Sequence, residues 1–328
     1  MRDRSGRGSD WRAGLWSSRL TSLLAAIVLL TGGAWSEARA QPASERRVEV
    51  HGMILEVRPA SRVFVISHDR IVGLMDSMTI PFEVRDAKDL QPLAPGAVVD
   101  FTLVLAPQGA YADSIRVRRY EPADQDPQIA RRLALLKRAA GTAVKPLALG
   151  QAVPDFSLVD QAGRPFRFSS LAGKVVALNF VYTRCALPQF CLRIANNFAV
   201  LQKRFRNELG RDLALVTVTF DPQRDTPEVL AKYAAQWQTD GRPADGQTWR
   251  FLTGPVPDVR RVCGLFGVEA FADEGLMDHS LHTVVIDRAG RLVANIEGNQ
   301  YTPEQLGDLV LATINQPAAG RGTPVLPR

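Results

Sequence analysis

The chain has 328 residues, 46% hydrophobic and 23% charged, an ordinary globular balance with room for about two domains. Its formal charge of +6 is largely local: six Arg and three acidic residues fall within residues 1–40, leaving 34 basic and 31 acidic residues beyond them. A field that weak, with no basic stripe interleaved with aromatics, argues against nucleic acid as a partner.

The N-terminus accounts for the local charge. An Arg-rich lead runs to Arg19, the apolar run "LTSLLAAIVLL" follows, and then "SEARA", where Ala38 and Ala40 flank Arg39 in the pattern of a secretory cleavage site. The expectation is a signal peptide over 1–40 with a mature terminus at Gln41, the alternative being an uncleaved N-terminal anchor. The run is short of the roughly 20 residues that a membrane span needs. No Cys lies near it, which sets aside a lipid-anchored form. Either outcome places the folded part in an oxidising compartment, a periplasm with the membrane close by.

Residues 41–121 read as a small all-β module. "RRVEVHGMILEV", "RVFVISH", "MTIPFEV", "AVVDFTLVLA" and "YADSIRVRRY" alternate apolar and polar residues. Turn signals separate them, so the expectation is five short strands in an OB-type barrel. Within it, "SHDRIVGLMDSMTIPFEV" concentrates scarce residues. Apart from the initiator the chain has only Met53, Met75, Met78 and Met277, and two of these follow His68 at seven and ten residues. Thioether and imidazole suit Cu(I) or Ag(I), while the bland alternative is that the two Met fill core gaps. The segment resembles the periplasmic copper/silver-binding CusF-like family through His68, Asp69, Gly73, Met75, Met78, Thr79, Pro81 and Phe82. The resemblance implies a copper site at His68, Met75 and Met78. Ile80 stands where that family has its last Met, which implies a weaker site.

Residues 122–148 read as a linker, with a short basic helix over Ile129 to Ala140. From residue 149 to 317 the grammar is α/β. "VPDFSLVDQAGRPFRF" is a hairpin, "KVVALNFVYT" a buried strand, and "RIANNFAVLQKRFRNEL" a helix. "DLALVTVTF" is a second buried strand, and "TPEVLAKYAAQW" a helix capped by Thr226 with Pro227 at its first position. "TVVIDRAGRLV" is a second hairpin, and "TPEQLGDLVLATIN" a closing helix. That order is thioredoxin-like. Residues 318–328 read as a flexible tail.

"YTRCALPQFC" places Cys185 and Cys191 past the end of a buried strand, at a helix start. Helix amides and Arg184 there are expected to favour thiolate at Cys185 and make it more reactive than a buried structural cysteine. Cys263, in the apolar-spaced "VRRVCGLFGV", reads as core. The pair is open to two readings: a thiol-disulfide couple, or two soft thiolates that a histidine of "LMDHSLHTVVID" completes into a three-coordinate copper site. "VPDFSLVDQAGRPF", "NFVYTRC", "VTFDPQRDTPEVLAKYA" and "DHSLHTVVIDRAGRLV" resemble the Sco/SenC family of copper chaperones for cytochrome oxidase assembly. The resemblance implies Cys185, Cys191 and His279 as the copper ligands, with His282 as the alternative imidazole. It also implies a copper-accepting respiratory oxidase subunit as partner, and reduced cysteines supplied by a thiol reductant. The usual spacing of that family leaves three residues between the cysteines, where this chain has five. The expectation is therefore a copper chaperone more than an enzyme. The alternatives are a thiol-disulfide oxidoreductase using Cys185 and Cys191, and a copper-sequestering resistance protein.

Overall fold

The computed structural model describes residues 45–120, 131, 135, 145–185, 188–237, 249–273 and 276–316. The expected leader, most of the linker and its helix, and the tail lie outside these residues. Among the described residues no helix is long and apolar enough to cross a membrane.

The first domain is built from β1 (Arg46–Arg58), β2 (Val63–His68), β3 (Met78–Glu83), β4 (Val98–Ala106) and β5 (Gly109–Val117), the five segments expected from alternation. They form one antiparallel sheet in the order β3-β2-β1-β4-β5. A bridge from Val84, just after β3, to Ala112 on β5 brings the two ends of the sheet together. β1 is long enough to pair on both sides, and a register shift between Ile54 and Glu56 bends it, as closure of a small barrel requires. The interior is filled by Phe64, Phe82 and Phe101. Phe101 meets the other two rings edge-on, at 5.5 and 5.2 Å.

The second domain is thioredoxin-like. A hairpin of β6 (Ser157–Asp160) and β7 (Pro165–Arg167) leads to β8 (Val175–Val181). α1 (Arg193–Arg204), β9 (Leu213–Thr219), α2 (Pro227–Gln236), β10 (Trp249–Thr253) and α3 (Val256–Leu265) follow. A separate two-stranded hairpin, β11 (Ala270–Asp273) and β12 (Leu276–His279), precedes β13 (His282–Ile286), β14 (Leu292–Glu297) and α4 (Pro303–Asn315). The main sheet runs β14-β13-β8-β9-β10-β6-β7, with β8, β9 and β10 parallel and the flanking strands antiparallel. β8 and β9 are buried along their whole length, which explains their continuous apolar sequence. Thr226 and Thr302 cap α2 and α4 as their sequences require, and Gln305 completes a capping box on α4.

Two details depart from expectation. The first helix stops at Arg204 rather than Leu209. Phe205 leaves helical geometry and is buried, and Gly210, at φ 81°, turns the chain into β9. β10 was not anticipated: its five residues follow a long polar stretch and carry no alternation of their own.

The barrel and the thioredoxin-like domain belong to one compact unit. Met53, Leu55 and Val98 of the barrel are buried in the same apolar cluster as the sheet and helices of the second domain. Gly96 is required at this junction, because a side chain there would run into Ala294.

Candidate metal centres

β8 delivers the first cysteine. Beyond its end the chain turns at Tyr182–Cys185, where the Cys185 amide donates to the Tyr182 carbonyl at 3.3 Å. The turn is braced from the loop after β9. Asp225, 1% exposed, accepts from the Thr183 amide (3.1 Å), the Thr183 hydroxyl (2.6 Å) and the Thr219 hydroxyl (2.5 Å). Its carboxyl is held above the ordinary Asp value, with burial as the largest cause. Asp221 accepts from Arg184 at 3.2 Å. The segment "DPQRDTP" thus acts as a clamp on the residues that precede Cys185.

The second cysteine lies in a wide turn, Pro188–Leu192, which breaks helical geometry at Phe190 (φ −108°, ψ −112°) and then enters α1. Cys191 is fully buried, and its sulfur lies 3.8 Å from Nε2 of His279, at the end of β12. The sulfurs of Cys185 and Cys191 and a ring nitrogen of His279 all fall within 4.8 Å of one another. The three cysteines of the chain are free thiols.

The imidazole is oriented for coordination. Nδ1 of His279 donates to the Ser280 carbonyl at 3.0 Å, and a carbonyl can only accept. In the neutral ring, Nε2 therefore presents its lone pair to the sulfurs. Three aromatic rings hold the imidazole: Phe220 at 4.6 Å, Tyr182 at 5.6 Å and Phe190 at 6.5 Å between centroids.

Burial dominates the electrostatics. The Cys191 thiol is pushed well above its ordinary value, first by desolvation and then by Cys185. The same burial, with the two cysteines beside it, takes Tyr182 up to about 12. The expectation that Arg184 and the helix start favour thiolate concerned Cys185; at Cys191 the sulfur is out of water and keeps its proton, while Arg184 is paired with Asp221. An ion with bonds of about 2.0–2.3 Å places its donors roughly 3.5–4 Å apart. The cluster needs only a small contraction to bind one, and metal binding displaces the thiol protons.

His282 lies elsewhere. Its ring is buried on β13, with Nδ1 2.9 Å from Asn295 Oδ1, and it is not part of the cluster. Cys263 is buried on α3, and its thiol is raised to about 12 by desolvation, in keeping with a core role.

In the barrel, His68 and Met78 are directly opposite across β2 and β3. His68 is 1% exposed, Nδ1 donates to the Asp69 carbonyl at 2.7 Å, and the buried Nε2 has no hydrogen-bond partner. An orphaned, buried imidazole nitrogen beside a thioether strand fits a soft metal donor. Gly52 lies opposite His68 on β1, where any side chain would collide with the β2 backbone. Met78 is 47% exposed, Met75 is half-buried against the barrel core and bridged to Ile71, and Ile80 packs partly into that core.

What was not anticipated is the supporting role of Asp221, Asp225, Phe220, Tyr182, Ser280 and Asp69. The available signal was the pair of carboxylates in a polar loop that directly follows a fully buried strand.

Residues 145–314 match the SCO1/SenC family model, and residues 47–116 match that of the copper-binding periplasmic protein CusF. The first match covers more than half of the chain. The chain belongs to the SCO1/SenC family. Among its relatives, the SCO1 protein homolog of Bacillus subtilis is 30% identical over 159 residues, 47% of this chain and 78% of the relative. The SCO2-like protein of Rickettsia typhi is 28% identical over 146 residues, 42% of this chain. This SCO1/SenC chain spans just under two thirds of that second relative, 66% of its length. The solved structure of Bradyrhizobium japonicum ScoI with copper bound aligns over 51% of this chain and 99% of its own, at 24% identity and a TM-score of 0.42. Copper is the metal to which the CusF match points.

Proposed function

We propose that this SCO1/SenC protein is an exported copper chaperone with two metal modules. His68, Met75 and Met78 capture Cu(I). Cys185, Cys191 and His279 hold copper for delivery to a subunit of a respiratory oxidase, after a thiol reductant has kept the pair reduced. Movement between soft sites by ligand exchange avoids releasing a free ion. The Arg-rich leader with its "ARA" ending supports export to a periplasm, with Gln41 as the mature terminus.

One observation carries this reading: two buried sulfurs converge on an imidazole nitrogen whose partner nitrogen is already committed to a carbonyl. Disulfide exchange needs an accessible attacking thiolate and has no use for that imidazole. Here both cysteines are buried, and the Cys191 thiol is disfavoured from ionising.

His279→Ala tests the reading. Copper binding at the cysteine site is expected to weaken by more than the roughly 10- to 100-fold typical of losing an outer partner, whereas His282→Ala leaves it unchanged. Exchange with a small-molecule thiol is expected to survive within about tenfold, a barrier change of about 1.4 kcal/mol. Unaltered copper binding in His279→Ala, together with loss of a robust disulfide-exchange activity, would replace the chaperone with the oxidoreductase.

A further inference from the structure

The barrel's candidate site is not built by the barrel alone. Ser67 and Thr79 are cross-strand partners one residue away from the His68–Met78 pair. Successive residues of a strand point to opposite faces, so the Ser67–Thr79 pair lies on the back of the two strands whose front carries the donors. Both hydroxyls donate to the same oxygen of Asp308 on α4, at 2.7 and 3.0 Å. One carboxylate oxygen therefore ties the two strands together at the step next to the metal donors.

That carboxylate is itself fixed. Its other oxygen accepts from Arg204 at the end of α1, at 2.5 Å, and Arg204 also donates to the Glu304 carbonyl at 3.1 Å. Gly307 makes this possible, because any side chain there would run into the Arg204 guanidinium. A second link comes from the start of α4. Gln305, 2% exposed, uses Oε1 to accept from the Thr302 amide in the capping box, and its Nε2 donates to the Asp69 carboxylate at 3.0 Å. The Asp69 carbonyl in turn accepts from Nδ1 of His68, which leaves the buried Nε2 as the open donor. Each metal-bearing strand thus has a polar support on the neighbouring domain, over an apolar contact through Met53, Leu55 and Val98.

We propose that α4 of the thioredoxin-like domain sets the geometry of the barrel's soft-metal site, with Asp308 and Gln305 as positioning residues. This rests on the His68/Met75/Met78 reading above. Asp308 fixes the spacing of His68 and Met78, and Gln305 fixes the rotation of the His68 ring through Asp69. By linkage, a Cu(I) or Ag(I) ion on the barrel tightens the docking of the barrel on α4 by the same factor.

The test uses the full chain carrying Cys185→Ser and Cys191→Ser, so that only the barrel reports, with Ag(I) as the probe in competition with a chelator. The parent is expected to bind one Ag(I), lost in His68→Ala with Met78→Ala. No uptake by the parent overturns the site and this role with it. Asp308→Ala and Gln305→Ala are each expected to weaken Ag(I) binding about tenfold, at the low end for lost outer partners. Asp308→Asn, which keeps an acceptor for the two hydroxyls, is expected to recover most of the loss. Arg204→Met, which removes the ion pair but leaves the Asp308 contacts to the barrel, is expected to stay within about threefold of the parent. Thr79→Val, at an exposed position where folding is safe, is expected to weaken binding several-fold. Lowered melting temperatures in the Asp308, Gln305 and Thr79 variants with Ag(I) affinity equal to the parent would reduce α4 to a packing surface and overturn the proposal.

Discussion

The Cys185–Cys191–His279 cluster and the His68–Met78 pair both offer soft donors, yet they are controlled by different chemistry. The first is built on two thiols, which carry protons and can be oxidised, and it is enclosed by Tyr182, Phe190 and Phe220. The second relies on thioethers, which carry no proton and form no disulfide, and Met78 stands half in solvent. A chain that holds both has one site that responds to redox state and pH, and a second that keeps its thioether donors when the first is closed. The supports differ as well. The cysteine site is braced within its own domain by Asp221 and Asp225, while the barrel strands are braced from α4.

The largest difference should appear with pH. Burial raises the Cys191 thiol well above its ordinary value, so the metal-free folded protein holds that proton throughout the neutral range, and copper must displace it. Apparent affinity at the cysteine site is expected to fall about tenfold per unit for each displaced proton, so the Cys191 proton alone contributes roughly 100-fold between pH 8 and pH 6. Cu(I) competition titrations at the two pH values, with the barrel donors removed by His68→Ala and Met78→Ala, check this. A flat profile would break the comparison. The same shift has a consequence for stability: the contribution of Cys191 to the copper-free fold is fully present below the ordinary thiol range and is lost as pH rises through the raised value.

A second prediction concerns the clamp. Asp225→Ala leaves the Thr183 amide and the hydroxyls of Thr183 and Thr219 without their acceptor, an unfolding cost of about 1–3 kcal/mol. Copper affinity at the cysteines is expected to fall with it, since Thr183 fixes the turn into Cys185. Denaturant unfolding of the copper-free protein measures the first effect, and an unchanged midpoint would remove the clamp from the account. The smallest effect is expected in the barrel. Ile80→Met places a further thioether on the same face of β3 as Met78 and is expected to tighten Ag(I) binding several-fold, read by competition in the Cys185→Ser, Cys191→Ser background. No tightening would show that Ile80 serves the barrel core alone.

Much of this was legible in the residues. Alternation marked the five barrel strands, and continuous apolar runs marked β8 and β9. Thr-Pro pairs marked the starts of α2 and α4. The donor residues stood out because Cys, His and Met are scarce in this chain and the donors fall in three short segments. Less legible were the features set by contacts distant in sequence. The burial that raises the Cys191 thiol comes from the core of the thioredoxin-like domain, in which the side chain is packed. The choice of His279 over His282 depends on a hairpin, β11–β12, whose short strands show no strong pattern. Asp308 reads in sequence as an exposed helix carboxylate; its contacts to Ser67 and Thr79 span more than two hundred residues and exist only because the barrel docks on α4.

The central claim is that the chain holds copper at two chemically distinct sites, and one titration tests it most directly. Cu(I) is added anaerobically to the mature protein, once fully reduced and once after a diazene oxidant has taken two electrons and two protons from Cys185 and Cys191 to form their disulfide, with bound metal counted by mass. The account predicts two equivalents in the reduced protein and one in the oxidised protein, the remaining equivalent being lost in His68→Ala with Met78→Ala. No binding to the reduced protein, or the same number bound in both redox states, would contradict it.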